Sequence, residues 1–360
     1  MASRIPSYSG MDSFETYLSL AERPNTRRSY ASAIRHFEVE WRGLLPATPE
    51  MIARYLAEYA ASLSINTLKS RLAGLSRWHT DHGFTDPTKS PLVSQILKGI
   101  RVAHNVPEKQ ARPLELLQLQ QVTDWLGCKA ATIETDTESR EGHGDFLRHH
   151  RDQAMLLIGF WRGFRADELT RLSIENISVE SGKGLTCYLP YSKGDRASSG
   201  RSYRCPALSR LCPVAAYEKW LAVSRLTAGP VFRRIDQWGH LATTGISPGS
   251  VVPWLRRLFD AAGIEASGSY SSHSLRRGFA GWADASGWDL KELMAYVGWK
   301  DFHSAIRYLD PSGNNLNARF EQGLAPSVSA STESTDRENA PDAGHGREKR
   351  SGTPKLRVVK

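Results

Sequence analysis

The sequence is poor in the features that mark membrane, secreted and metal-binding proteins. No apolar run approaches the roughly 20 residues that a membrane span requires. The four cysteines, Cys128, Cys187, Cys205 and Cys212, form no CxxC pair and are most simply reduced thiols. The chain lacks an internal repeat, a glycine-rich phosphate loop and an HExxH metal motif. Its first residues contain no secretory signal. The sequence therefore predicts a cytoplasmic protein with no metal or other cofactor.

Composition and charge fit a folded protein that binds nucleic acid. A length of 360 residues, of which 40% are hydrophobic, is enough for two domains with cores of their own. Lysine and arginine outnumber aspartate and glutamate by 47 to 38, which gives a formal net charge of +9. This excess favours a polyanionic partner, nucleic acid before membrane. Because many soluble proteins are mildly basic, the charge alone is weak evidence.

Residues 10–104 have the pattern of a small helical bundle. Helix starts near Pro24, Pro49, Asn66 and Pro91 are each followed by apolar residues at helical spacing, which predicts four short helices. Basic residues lie on the outer faces of the first and third of these helices. Such residues are most often a solvated surface, and the functional alternative is contact with phosphate. The candidates are Arg27, Arg28, Arg35, Lys69, Arg71 and Arg77.

The remaining chain divides into a linker, a mixed domain and a tail. Periodicity stops over residues 105–113, where Pro107 and Pro113 predict an extended linker. Residues 114–324 predict helices with a few strands, and residues 325–360 predict a disordered polar tail. Within the mixed domain we expect a helix over 114–126, a polar loop over 128–144, a helix over 146–160 and a β-hairpin formed by 185–189 and 202–205, with Lys193 in its turn.

The candidate catalytic residues lie in two segments of this domain. Arg165 and Glu168 lie in the segment Gly163-Phe-Arg-Ala-Asp-Glu-Leu169, after an apolar helix. His273 and Arg276 are one helical turn apart, and Trp299 and Tyr308 follow in the sequence. Arginine guanidiniums match phosphate oxygens and stay charged at any working pH, and a tyrosine hydroxyl can attack phosphorus. Each residue alone is more simply explained by an ion pair or by core packing.

The order and spacing of these residues resemble the tyrosine recombinase (phage integrase) family. Its pattern is Arg-x-x-Glu, Lys, His-x-x-Arg, Gly-His/Trp and Tyr, and tryptophan at the position of Trp299 is a feature of its Cre-like members. The resemblance implies a helical, SAM-like core-binding domain that clamps DNA, and a mainly α catalytic domain with a small antiparallel sheet, the DNA breaking-rejoining fold.

The resemblance also implies a role for each residue. Tyr308 would attack a DNA phosphodiester and form a 3′-phosphotyrosine, and Lys193 would protonate the leaving 5′ oxygen. Arg165 and Arg276 would stabilise the phosphate with Glu168 in support. His273 would bond the phosphate or accept the tyrosine proton. Trp299 would donate a hydrogen bond, since an indole does not titrate.

Neighbouring residues and related enzymes offer alternatives to this assignment. Tyr296 and Tyr270 compete with Tyr308 as nucleophile, and Arg277 competes with Arg276. Type IB topoisomerases use the same covalent step, and a non-catalytic DNA-binding relative would keep the basic clamp without the chemistry. Enzymes of integration, cointegrate resolution and plasmid dimer resolution share this motif, so the motif does not distinguish among these roles.

The expected partners follow from the reaction that the resemblance implies. They are a double-stranded DNA recombination site and three further copies of the chain, which form a homotetramer on two duplexes. An accessory DNA-binding protein is a further possible partner, and we expect association with the nucleoid and no membrane partner.

Overall fold

The computed structural model describes residue 17 and residues 22–105, 110–134, 140–180, 182–190 and 199–308. Within these residues the protein is mainly α-helical with two small antiparallel sheets, which confirms the predicted fold class. The chain divides into two compact units, Met1–Gln110 and Ala111–Lys360. No helix among the described residues is long and apolar enough to cross a membrane.

Residues 22–105 of the N-terminal unit contain four α-helices and a short π-helical segment, His36–Glu40. Hydroxyl side chains of Thr48, Ser64 and Ser90 accept backbone N–H groups and start the last three helices. Inward-facing residues such as Phe37 form one core. The helices are α1 (Pro24–Arg35), α2 (Pro49–Glu58), α3 (Ile65–Asp81) and α4 (Pro91–Ala103).

The C-terminal unit is built around a long helix, α6, that lies against α5, α8 and α10. Its core is a single cluster of buried apolar side chains drawn mainly from the helices and the three-stranded sheet, and partly buried residues of the two-stranded sheet pack against it. The helices of this unit are α5 (Leu116–Glu134), α6 (Arg140–Arg162), α7 (Ala166–Thr170), α8 (Pro213–Ser224), α9 (Val251–Ala261), α10 (Ser272–Ala285), α11 (Leu290–Val297) and α12 (Phe302–Ile306).

The polar loop expected over residues 128–144 was wrong. Helix α5 continues to Glu134 and α6 begins at Arg140, and residues 135–139 lie outside the described part. Ala130 is buried, so the inward face of α5 extends beyond Leu126. Of the polar residues that suggested a loop, Lys129 and Thr132 are exposed on this helical continuation.

The sheets contain the predicted hairpin and three further strands. The hairpin is β2–β3, in which Leu189 at the end of β2 pairs with Arg201 at the start of β3. A third strand, β1, pairs with β2, and β4 and β5 form a separate hairpin. The strands are β1 (Ile177–Glu180), β2 (Gly184–Leu189), β3 (Arg201–Pro206), β4 (Arg233–Ile235) and β5 (Leu241–Gly245).

Candidate active site

A tight turn at the end of α6 brings Arg165 and Glu168 together. Gly163 makes the turn with φ +56°, a conformation that favours glycine. Arg165 then caps α7, and its backbone N–H donates to Glu168 Oε2 at 2.9 Å. Its Nη1 donates to Glu168 Oε1 at 2.7 Å. The Glu168 side chain is only 3% exposed, and a buried carboxylate needs a charged partner, which Arg165 supplies here.

Arg276 reaches the same carboxylate from α10. Its side chain is 1% exposed, its Nη1 donates to the Gly163 carbonyl at 2.8 Å, and that nitrogen lies 3.7 Å from Glu168 Oε2. Burial, and next the positive charge of Arg165, lowers the pKa of Arg276 to about 10. The guanidinium therefore remains protonated at neutral pH. One carboxylate thus partners two cations, which leaves a net positive charge that an incoming anion would neutralise.

His273 and Tyr308 form a hydrogen-bonded pair. The start of α10 is fixed by Ser271, whose backbone N–H donates to Ser274 Oγ and whose Oγ accepts the His273 N–H. This cap presents the exposed His273 ring, and its Nδ1 lies 2.8 Å from Tyr308 Oη. When Nδ1 is the unprotonated nitrogen, the imidazole is in place to accept the phenolic proton.

Trp299 packs against both the buried arginine and the tyrosine. Its ring centroid lies 5.1 Å from that of Tyr308 and 5.1 Å from Arg276 Cζ. It follows Gly298, which ends α11 in the left-handed conformation with φ +82°. The Trp299 Nε1 and Arg276 Nε are both buried without a hydrogen-bond partner in the described structure. Buried donors of this kind are rare, and a phosphate oxygen is the acceptor that both would suit.

The alternative candidates for the nucleophile and for the second arginine make hydrogen bonds outside this cluster. Tyr296 Oη donates to the Trp161 carbonyl at 2.9 Å, and burial raises its pKa to about 12. Tyr270 is fully buried and bonds Gln118. Arg277 Nη1 donates to the Arg307 carbonyl. Their positions make Tyr308 and Arg276 the better candidates.

The sixth candidate, Lys193, lies outside the described residues. The strands that flank it are described, and the β2–β3 pairing extends as far as Leu189 and Arg201.

The basic candidates of the N-terminal unit lie on α1 and α3. These helices approach closely at Gly74, where an added Cβ would lie 2.6 Å from Ala33 Cβ. A groove of about 410 Å³ is lined on both sides by polar side chains, including Arg71, whose Nη1 donates to Ser32 Oγ at 2.8 Å. Arg77 is instead paired with Asp81 at 2.7 Å. Arg27, Arg28, Arg35 and Lys69 are exposed.

Sequence reasoning missed two arginines that bond to the end of α11, the helix that leads into Trp299. Arg162 ends α6 and donates to the Tyr296 carbonyl, and Arg201 at the start of β3 donates to the Ala295 carbonyl. A charged residue directly after the apolar run Leu156–Trp161 was a usable signal for Arg162. Arg201 had no such signal, since its contact depends on packing between distant segments.

Comparison with known proteins agrees with this geometry. The model of the phage integrase family matches residues 145–314. An integrase/recombinase XerD homolog of Selenomonas ruminantium is 27% identical, covering 85% of this chain and 88% of that protein. The recombinase Cre of Escherichia phage P1 is 25% identical, over 78% of this chain and 80% of Cre.

A solved structure supports the fold. The Tn1549 transposon integrase in complex with transposon right end DNA has a TM-score of 0.58 at 13% identity, covering 87% of this chain and 98% of that chain. The family model and both relatives support a tyrosine recombinase, an enzyme that cuts and rejoins DNA.

Proposed function

We propose that this protein recombines double-stranded DNA at specific sites through a covalent 3′-phosphotyrosine at Tyr308. The observation that supports this most directly is the pairing of Tyr308 with His273 beside two arginines that share one carboxylate. The relatives that match most of the chain are named recombinases and integrases, which favours recombination over simple relaxation of supercoils. DNA is accordingly the expected substrate, bound in part by the polar groove between α1 and α3.

The scissile phosphate would lie against Arg165 and Arg276. Two guanidiniums stabilise the additional negative charge of a pentacoordinate phosphorus, and Glu168 holds both cations in place. The unpartnered Nε1 of Trp299 would donate to a non-bridging oxygen. Because this donor is already buried and fixed, it needs no reorganisation when charge develops on the phosphate.

Two proton transfers would accompany the attack. The Tyr308 oxygen forms a bond to phosphorus and its proton passes to His273, which lies 2.8 Å away. The bond from phosphorus to the 5′ oxygen breaks, and Lys193 supplies a proton to that oxygen. A positioned general acid or base contributes roughly 10²–10⁴ in rate.

Rejoining reverses these steps with a new strand. The 5′ hydroxyl of a partner strand attacks the phosphotyrosine, its proton returns to Lys193, and Tyr308 regains the proton held by His273. The energy of the broken phosphoester is retained in the phosphotyrosine ester, so no nucleotide hydrolysis is required. Exchange of four strands between two duplexes requires four active sites, hence a homotetramer on DNA. Such an assembly would act on nucleoid DNA, with an accessory DNA-binding protein where the site demands one.

Covalent trapping tests this proposal. DNA that the protein holds in its native host would be sequenced to recover the site, and a nicked suicide duplex of that site would be incubated with purified protein. Wild type should form a denaturation-resistant adduct. Tyr308→Phe should bind equally well and form none, because it lacks the nucleophilic oxygen.

The control is Tyr296→Phe, which removes a phenol from the same region and should still form the adduct. An adduct with Tyr308→Phe but not with Tyr296→Phe would refute the nucleophile assignment. Rapid relaxation of plasmids regardless of whether they contain the site would favour a topoisomerase instead.

A further inference from the structure

The segment that contains Tyr308 has little buried apolar surface to hold it. Of the side chains described over residues 301–308, only Ala305 is buried, while Phe302 is 52% exposed and Ile306 is 41% exposed. A short segment with few buried apolar contacts has low local stability. Its position, and that of the phenol it carries, therefore depends on its polar contacts.

The peptide unit that precedes Tyr308 is hydrogen-bonded through both of its polar groups. Its carbonyl, which belongs to Arg307, accepts from Arg277 Nη1 at 2.8 Å. Its N–H, which belongs to Tyr308, donates to the Ala305 carbonyl at 2.9 Å. Because a peptide unit is planar, bonds to both groups fix the orientation of the whole unit and hence the direction in which the tyrosine side chain leaves the backbone. The N–H bond lies within the segment itself, whereas the Arg277 bond ties the segment to α10.

One face of α10 thus contacts the tyrosine segment at two places. His273 and Arg277 are four residues apart, so their side chains lie on the same side of the helix. His273 Nδ1 lies 2.8 Å from the phenolic oxygen, and Arg277 bonds the carbonyl directly before the tyrosine. Arg276 has different partners, since its Nη1 donates to the Gly163 carbonyl. The two neighbouring arginines of α10 therefore hold different parts of the site.

We propose that Arg277 is a positioning residue that holds the backbone of Tyr308, so that the phenol reaches both His273 and the scissile phosphate. This inference rests on the proposed function. Attack requires the reacting atoms to be about 3–3.5 Å apart, and a displacement of about 1 Å can slow a reaction about 10²-fold. Without the Arg277 bond, the peptide unit is held through its N–H alone, and the phenol occupies positions from which attack is slower.

The first measurement is single-turnover cleavage of the nicked suicide duplex by Arg277→Met, which keeps an unbranched side chain and removes the donor. At saturating DNA, cleavage should be about 10- to 100-fold slower than in wild type, because the nucleophile is misplaced. The Kd for the duplex, measured in a Tyr308→Phe background so that no cleavage occurs, should change by less than about threefold, because no phosphate contact is lost. The matched control is Arg233→Met, which also removes a bond to a backbone carbonyl, that of Pro230 at 3.2 Å, and should cleave at the wild-type rate.

The second measurement is hydrogen–deuterium exchange of the free protein, which requires no DNA. Arg277→Met should exchange at least about threefold faster at the amides of residues 302–308, because this segment opens more readily, and α10 should exchange as in wild type. Arg277→Lys keeps a cationic donor on a shorter side chain and should be intermediate in both measurements. Arg233→Met should leave exchange at residues 302–308 unchanged.

A wild-type cleavage rate for Arg277→Met, or wild-type exchange at residues 302–308, would overturn the proposal. Faster exchange throughout α10 would show a general structural defect, and a Kd weakened as much as the rate would show a DNA contact; either would overturn it too. If Arg277→Met did not fold, wild-type values for Arg277→Lys in both measurements would overturn it. If wild type formed no adduct, the proposed function would fail, whereas exchange would still show whether Arg277 holds the segment.

Discussion

Neutralising Glu168 should destabilise the C-terminal unit measurably. Glu168→Gln keeps the shape of the side chain and one acceptor for Arg165, but it removes the charge shared by two arginines. Loss of one partner from a buried ion pair costs about 3–5 kcal/mol. Arg165 is 26% exposed, so water screens part of its charge and the lower end, about 3 kcal/mol, is expected. For a unit of this size, about 2–4 °C per kcal/mol gives a fall in Tm of roughly 6–12 °C.

The assay is thermal unfolding of the full chain, followed by circular dichroism. The matched control is Asp167→Asn, which removes the adjacent acid. That carboxylate is 43% exposed and pairs with Arg171 at the surface. An exposed pair contributes at most about 1 kcal/mol, so the control should shift Tm by a few degrees or less. A Tm for Glu168→Gln within error of wild type, or a larger loss for Asp167→Asn, would refute the idea that the carboxylate balances two buried cations.

Inorganic phosphate should narrow the gap in Tm between Glu168→Gln and wild type. The variant leaves Arg165 and Arg276 without a carboxylate, so an anion gains more there than in wild type. At about ten times its Kd a ligand stabilises the folded state by roughly 1.4 kcal/mol. Melts at constant ionic strength, with phosphate replacing chloride, measure this. A gap that stayed constant or widened would show that the two cations do not face an anion site.

Three further predictions concern single positions. Trp299→His keeps an N–H donor and should retain most cleavage activity. Trp299→Phe should lower the cleavage rate about 10- to 150-fold, which is the effect of one hydrogen bond to a charged group. If the Phe variant were as active as wild type and the His variant inactive, Trp299 would be a packing residue. Arg71→Ala should reduce the slope of log K for DNA binding against log salt by about one, as measured by fluorescence anisotropy. Arg77→Ala should reduce this slope by less, because Asp81 already pairs with Arg77. An unchanged slope for Arg71→Ala would place the DNA elsewhere. Burial, then the charge of Arg71, lowers the pKa of His36 below 6.5. Its contribution to stability is therefore present above pH 6.5 and is lost as pH falls from there through the lowered pKa of the folded state. His36→Gln should flatten the Tm profile below pH 6.5, and parallel profiles would contradict this.

The clustering of the candidate site residues could be predicted because their spacing is local and their chemistry is distinctive. His273 and Arg276 are one turn apart on a single helix, so the sequence alone puts them on one side of it. Bringing Arg165 to the same place required a long-range contact, and the motif supplied it only through the resemblance. The structure adds the physical link, which is the carboxylate of Glu168 between the two arginines.

The elements that sequence reasoning missed carry weak or contradictory patterns. Strand β1 is exposed along nearly its whole length, so the alternation that identifies a half-buried strand is absent from it. Strand β4 has three residues, and the β4–β5 pairing has an irregular register. The polar residues after Leu126 suggested a loop, but the buried Ala130 shows that the apolar face of α5 continues beyond that point.

The charge balance of the site connects its stability to its reaction. In the free protein, Arg276 is buried beside a second cation with a carboxylate that both share, and burial with that cation lowers its pKa. The scissile phosphate would bring the missing negative charge and accept from the unpartnered Nε1 of Trp299. In the proposed reaction the attack would add further negative charge to that phosphate, so the charges of the two arginines would be best balanced in the transition state. The buried carboxylate of Glu168 offsets part of the repulsion between the two arginines in the folded protein. Its removal should therefore lower stability before DNA binds, while anion binding at the same arginines should be retained.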